Sequence, residues 1–293
     1  KRVSDSYRRI RNTARFLLGN LDGFDPAQHL LFPDQCLELD QWALQQAHDV
    51  NTAVLAAYAR YDFPEIVQRI QNFCTNEMGS LYLDITKDRL YTMPTDSLGR
   101  RSAQSVMYRI AHALVRWLAP ITSFTAEEFW SLLPGKSSES VLFETWYDGL
   151  SATRATAEQR RWWSDLQTIR SAASRLLEGM RNGGAIGASL QAEVTLYVDP
   201  DTRQRYADAA DELRFYFITS ALVVADLADK PEDAVKVEVE GAQVWISAQA
   251  SMAAKCVRCW HYREDVGSHA DDPELCGRCI GNIEGPGETR RWF

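Results

Sequence analysis

No stretch of this 293-residue chain approaches the roughly 18 uncharged apolar residues that a bilayer crossing requires, so no membrane partner is expected. There is no basic-then-apolar leader, no low-complexity tract and no internal repeat. The first residue is Lys1 rather than methionine, and we expect a processed or excised piece of a longer protein. Cysteine is scarce. Of the six, Cys36 and Cys74 lie in apolar, helix-like surroundings and read as packed thiols. The other four form two CxxC pairs, which is not a secreted disulfide framework, so a cytoplasmic location is expected. Catalytic signatures are missing too: no Ser/His/Asp set, no phosphate-cradling glycine loop and no carboxylate pair stands out. His29, His48, His112 and His269 have no second ligand at metal spacing and read as structural or solvent-facing. Bases are in the minority, 32 against 40 acids, and a net charge of −8 argues against casual binding to a phosphate backbone.

What is present is a composition of 45% hydrophobic and 25% charged residues, that of a globular chain rather than a disordered one. Its length suffices for two or three cores. Charge is segregated along it. Residues 1–19 carry Lys1, Arg2, Arg8, Arg9, Arg11 and Arg15 against Asp5 alone, and residues 81–120 carry Lys87, Arg89, Arg100, Arg101, Arg109 and Arg116 against three Asp. Residues 20–80 hold nine acids and two bases, and 193–240 hold twelve acids and five bases. Such a pattern permits a basic face on an acidic body.

The first 150 residues read as a helical bundle. Ser4 is placed to cap a helix with Tyr7, Ile10, Ala14 and Leu17 at helical spacing, leaving Arg8, Arg11 and Arg15 together on another face. The acidic stretch from Asp22 to Pro33 reads as loop. Further helices are expected over 37–61, from Asp62 with Pro64 in the first turn, and over 102–118. Ile66, Ile70, Phe73, Met78 and Leu81 form the apolar stripe of the second of these, and Lys87-Asp88-Arg89-Leu90-Tyr91 breaks it. Thr125-Ala126-Glu127-Glu128 has the pattern of a capping box. A small α/β unit follows over 151–250, with a long helix over 157–181 in which Trp162 and Trp163 read as core. It continues with alternating Val194, Leu196 and Val198, a helix over 203–217, a buried strand over 221–225, and a hairpin about Gly241.

Residues 251–293 hold Cys256 and Cys259, sixteen intervening residues, then Cys276 and Cys279. Each CxxC knuckle can aim two thiolates at one cation, and two knuckles close a tetrahedron, so one structural zinc ion (Zn2+) is expected, with iron as the alternative for the same spacing. Two pairs in one ribbon speak against a redox CxxC. Four thiolates leave no position for a metal-bound water, hence no hydrolytic role. Lys255, Arg258, Arg263 and Arg278 sit beside the ligands. Trp260 and His261 follow the second ligand, and Trp260 is either a platform for an unpaired base or the small core of the ribbon.

Three groups of residues resemble one family. Ser6-Tyr7-Arg8-Arg9-Ile10-Arg11-Asn12-Thr13-Ala14-Arg15-Phe16 resembles the helix that follows the catalytic domain of the class I isoleucyl-tRNA synthetases. Tyr82-Leu83-Asp84-Ile85-Thr86-Lys87-Asp88-Arg89-Leu90-Tyr91, with Leu118-Ala119-Pro120-Ile121 and Phe124-Thr125-Ala126-Glu127-Glu128, resembles their anticodon-binding bundle. Cys256-Val257-Arg258-Cys259-Trp260-His261 with Cys276-Gly277-Arg278-Cys279 is similar to the zinc ribbon that ends many bacterial members. The resemblance runs over essentially the whole chain, in order. It implies a mainly α fold: an anticodon-binding bundle over 1–150, a small α/β junction domain over 151–250 and a zinc ribbon over 251–293.

By the same resemblance the longer protein joins isoleucine to its tRNA with ATP, through an isoleucyl-adenylate, and has a separate editing site. The HIGH and KMSKS signatures are not found in these 293 residues, so ATP is expected only in the missing catalytic domain, and this chain alone is expected to be inactive. Its implied partners are isoleucine tRNA, at the anticodon, and its own catalytic and editing domains; a monomer is implied. Candidate RNA contacts are Trp260, Arg258, Arg278, Arg8, Arg11, Arg15, Lys87 and Arg89. For Arg8, Arg11 and Arg15 a solvated face or ion pairs within the bundle are the competing reading. Lys87 and Arg89 suit either a capping role or an RNA contact. A second function hypothesis is a helical scaffold whose ribbon mediates protein contact. The ribbon is also similar to that of DNA-repair glycosylases, but no nucleophile or carboxylate for a base-flipping pocket is found.

Overall fold

A computed structural model describes residues 2–150, 152 and 155–293. Lys1 of the basic N-terminal segment lies outside the described residues, as does the side chain of Arg2, and the expected boundary after residue 150 adjoins Ser151, also outside them. Contacts divide the chain into two compact units, residues 1–153 with 289–291 and residues 154–288 with 292–293. The α/β segment and the cysteine-rich segment thus pack within one unit. The fold is mainly α. Among the described residues no helix is long and apolar enough to cross a membrane.

The first unit is a helical bundle. α1 (Arg2–Asn20) starts ahead of Ser4 and buries Thr13, Ala14 and Leu17. The acidic stretch read as loop contains a single turn, α2 (Pro26–His29), because Asp25 accepts from Ala27 N–H at 2.9 Å and Pro26 fits the first turn. α3 (Glu38–Ala59) is followed by α4 (Phe63–Asn72), whose N-cap Asp62 accepts from Glu65 N–H at 3.2 Å, with Pro64 in the first turn as expected.

From there the chain departs from expectation. A π-helical run, Phe73–Tyr82, leads directly into α5 (Leu83–Thr92), so the stripe is not broken at Lys87. The wider π turns rotate the inward face, and Met78, Leu81, Tyr82, Ile85, Arg89 and Leu90 are buried in succession. α6 (Leu98–Leu118) begins a turn earlier than its apolar pattern suggested, because Ser97 Oγ caps Arg100 N–H at 3.3 Å. Nearly all of α6 is buried, and it is the central element of the bundle. α7 (Ser123–Leu132) places Thr125 inside its first turn, which corrects the expected capping box; Glu128 instead holds Arg11 of α1.

The second unit opens with α8 (Ala157–Asn182), started by a reciprocal cap in which Thr156 Oγ1 accepts from Gln159 N–H and Gln159 Oε1 from Thr156 N–H. Trp162 and Trp163 are buried in it, against Tyr216 and Phe293. β1 (Ala192–Val198) alternates as expected, burying Ala192, Val194, Leu196 and Val198. The helix expected over 203–217 is two pieces, α9 (Pro200–Ala207) and α10 (Leu213–Phe217), separated by turns through Ala209 and Ala210. β2 (Ala221–Asp226) is half exposed rather than buried because it lies at a sheet edge. β3 (Val235–Val239) and β4 (Ala242–Ala250) form the hairpin, with Gly241 in the left-handed region that a two-residue reversal requires. The sheet order is β2-β1-β4-β3, with β1 and β2 parallel and the other pairs antiparallel; Leu196 stands opposite Val224 on one side and Ile246 on the other. β5 (Ala254–Lys255), β6 (Tyr262–Arg263) and α11 (Gly277–Glu284) carry the cysteines.

Candidate metal centre and nucleic-acid interface

Cys256 leaves β5, and the chain turns through Val257 and Arg258 to Cys259 before returning into β6. Two backbone bonds lock this knuckle: Trp260 N–H donates to Cys256 O and Cys256 N–H to His261 O, both at 2.9 Å. The second knuckle is the start of α11. Cys276 is its N-cap, Ile280 N–H bonds Cys276 O at 3.1 Å, and Gly277 N–H donates to Asp265 Oδ2 at 2.9 Å. Val257 N–H reaches Glu274 O at 3.2 Å and ties the knuckles together.

All four cysteines are buried, and their sulfurs lie within 4.8 Å of one another. A zinc ion with Zn–S bonds of about 2.3 Å spaces its sulfurs about 3.8 Å apart. The Cys259–Cys276 sulfur separation is 3.7 Å, and Cys276 N–H points at Cys256 Sγ from 3.4 Å, the kind of donor that supports a thiolate. The shared hydrogen bond with Cys276, then that with Cys279, drives the Cys259 thiol far below its ordinary value, while the Cys259 contact pushes Cys276 up to about 11. Sulfurs this close compete for one negative charge unless a dication sits among them. The donor set therefore fits zinc, in a closed four-sulfur site.

Trp260 sits between a ligand and the buried His261, at φ 65°, in the left-handed region that a non-glycine residue enters at a cost. It is 60% exposed, which removes it from the core of the ribbon. Lys255 Nζ lies 5.4 Å from its ring centroid, so a cation sits over the indole.

The basic candidates divide. Arg8 is exposed and only loosely paired with Asp5 at 3.5 Å; Arg15 is exposed and makes no ion pair or hydrogen bond with any described residue. Arg11 is bidentate to Glu128 at 2.7 and 2.7 Å and ties α1 to α7, alongside Tyr7 Oη to Thr125 Oγ1 at 2.9 Å. Lys87 pairs with Asp84 at 2.7 Å on a half-exposed surface. Arg258 is half-buried and takes part in an interaction. Arg278 has only 12% of its side chain exposed, bonds Glu288 at 3.1 Å and covers the Phe215 ring, so it faces the protein rather than solvent. Arg89 is a correction. Its side chain is 0% exposed, with both terminal nitrogens 2.8 Å from the carboxylate of Asp40, and no RNA reaches it. An arginine breaking an apolar stripe looks the same in sequence whether it faces water or a buried acid; only Asp40, in another helix, decides.

Sequence reasoning also missed how the knuckle is seated. Phe215 packs against His261, and Ser220 Oγ accepts from Tyr262 N–H at 2.5 Å. Neither residue carries a motif. The only hint was a histidine immediately after Cys-x-x-Cys-Trp.

Comparison with known proteins agrees with this geometry. The family described as the anticodon-binding domain of tRNA ligase matches residues 40–196, and the zinc finger found in FPG and IleRS matches residues 254–281. Over its whole length the chain is 53% identical to the isoleucine–tRNA ligase of Xanthomonas axonopodis pv. citri, and 54% identical to those of Xanthomonas campestris pv. campestris and Stenotrophomonas maltophilia. It spans about 30% of the length of each of these relatives.

Proposed function

Because the chain belongs to the family of anticodon-binding domains of tRNA ligases, we propose that it holds the anticodon region of isoleucine tRNA on behalf of a longer isoleucine–tRNA ligase. In this reading the longer protein joins isoleucine to its tRNA with ATP. The ATP-dependent and editing steps fall in segments outside these 293 residues, and the chain alone does not aminoacylate. It works as a cytoplasmic monomer. Cys256, Cys259, Cys276 and Cys279 hold one structural zinc ion that supplies rigidity rather than chemistry. The division into a bundle over 1–150, a junction domain over 151–250 and a ribbon over 251–293 is the corresponding domain plan.

The observation that carries the reading is the exposed Trp260 on a knuckle locked by two thiolates and two backbone bonds. A flat indole held in that way stacks an unpaired base with little ordering cost. Arg8, Arg15, Arg258 and Lys87 provide phosphate contacts that position without specifying. Arg11, engaged with Glu128, and Arg278, engaged with Glu288, each fix the local shape of their own unit.

Fluorescence anisotropy titration with isoleucine tRNA, beside the same transcript with a changed anticodon, at two salt concentrations tests this. Tighter binding to the native anticodon that persists at higher salt is expected. Equal binding erased by salt would reduce the chain to a positioning surface, and no binding would favour the scaffold reading. Trp260→Ala should weaken tRNA binding by about 1–3 kcal/mol, the range for one stacked base. Unchanged affinity with an intact metal site would remove Trp260 from the interface.

A further inference from the structure

We propose that Phe215, in the last turn of α10, is the residue that positions Trp260, by clamping both zinc knuckles against one ring. The proposal rests on reading Trp260 as the base platform. Phe215 is buried. The His261 ring meets it edge-on, 5.7 Å between centroids at 75°, from the first knuckle, and the Arg278 guanidinium lies 5.1 Å from its centroid from the second. Arg214 covers it as well, at 4.6 Å.

Trp260 needs such a clamp. A left-handed backbone is unfavourable for a residue with a Cβ and persists only where its neighbours are fixed. The metal ligand Cys259 fixes the residue before it. After it, His261 is fixed by Phe215 and by Nδ1 at 3.3 Å from Cys259 O, and Tyr262 is fixed by its N–H bond to Ser220 Oγ. α10 ends on Ile218, itself left-handed at φ 55°, and that turn carries the chain from Phe215 round to Ser220, so both fixed points come from one corner of the second unit. Cys259 and the Trp260 N–H bond to Cys256 O hold one side of Trp260; the Cys256 N–H bond to His261 O holds the other, and Phe215 and Ser220 fix the direction in which that side leaves the knuckle. With Lys255 over the indole, the direction of the ring decides how a base can approach it.

The test uses the full chain labelled with 5-fluorotryptophan, in which the Trp260 fluorine resonance is assigned as the one lost in Trp260→Ala. Phe215→Leu is expected to keep one zinc per chain yet broaden or displace the Trp260 resonance. It should weaken binding of isoleucine tRNA at least about fivefold, the low end of one stacked base. Phe215→Tyr, which keeps the ring, should restore both readouts, and Phe215→Leu should cost nothing further when added to Trp260→Ala. Ser220→Ala, a milder change, should shift the same resonance in the same direction. A Trp260 resonance unchanged in Phe215→Leu and in Ser220→Ala overturns the positioning role, and so does loss of zinc from both. If the resonance moves as expected but Trp260→Ala binds tRNA like the parent chain, the positioning stands and the base-platform reading falls.

Discussion

Asp40 accepts four hydrogen bonds without any access to solvent: two from Arg89, one from Tyr82 Oη at 2.6 Å and one from Ser102 Oγ. Burial, together with the Asp40 charge, holds the Tyr82 hydroxyl well above its ordinary pKa, so it stays a donor. The pair itself contributes little net stability, since desolvation offsets attraction, but breaking it is costly. We expect Arg89→Met to destabilise the first unit by roughly 3–5 kcal/mol, and Asp40→Leu combined with Arg89→Met to recover much of that loss in urea unfolding. Equal losses in the single and double variants would show that packing, not the stranded charge, sets the cost. His112 makes a pH-dependent contribution. Burial lowers its pKa to about 4, with Pro134 O accepting at 3.0 Å and Arg116 close to the other ring nitrogen. The unfolded chain therefore takes up this proton first as pH falls. The stability due to neutral His112 is intact above about pH 6.5 and is lost as pH drops toward 4, by about 2 kcal/mol at pH 5. Melting curves of the parent chain between pH 7 and 4.5 should fall more steeply than those of His112→Gln, and parallel slopes would contradict this account.

Among the elements, the π-helical run Phe73–Tyr82 decides which way Arg89 faces. A Cβ on Gly79 would lie 2.9 Å from the backbone oxygen of Cys74, which also accepts from Thr13 Oγ1 at 3.2 Å, so neither atom can yield freely. Ala gains about 1 kcal/mol of helix propensity over Gly, whereas overpacking against fixed backbone costs about 1–3 kcal/mol. Gly79→Ala is therefore expected to destabilise by about 1 kcal/mol, and a stabilised variant in thermal melts would show that the run relaxes to an ordinary α-helix. The same run marks where the sequence stops being legible. Helices with a steady period, such as α3 and α8, and the alternating β1 were read nearly to their ends because one face of each is apolar. A change of helical pitch leaves no such trace, and so Arg89 reads in sequence as a stripe breaker. The metal site was legible because its ligands come as two local pairs. Trp260's exposure was not, since it goes with a left-handed backbone whose next two residues, His261 and Tyr262, are held by Phe215 and Ser220, which are distant in the chain.

For the molecule as a whole, the two units differ in what holds them. The bundle has its own core about α6 and a buried network at Asp40, and its cysteines are not ligands. Burial pushes Cys36 and Cys74 up to about 12, so they remain inert thiols. The cysteine-rich segment has two-residue strands, one helix of eight residues, and little apolar packing beyond the four cysteines, chiefly Val266 and Leu275. Such a core cannot offset chain entropy by hydrophobic burial, whereas a thiolate-bound zinc contributes about 10–16 kcal/mol in comparable small zinc units. Chelation should therefore unfold residues 250–288 and leave α6 protected. Because His261 and Tyr262 bear on Phe215 and Ser220, amide exchange should also quicken over 213–220, while β1 and β4, paired along their full length, keep their protection. Hydrogen exchange read by mass spectrometry with and without chelator distinguishes these segments, and Cys256→Ser should reproduce the chelated pattern. Simultaneous loss of protection over 250–288 and α6 would mean that the metal supports the whole chain as one cooperative body; no loss anywhere would mean that the ribbon folds on its own contacts.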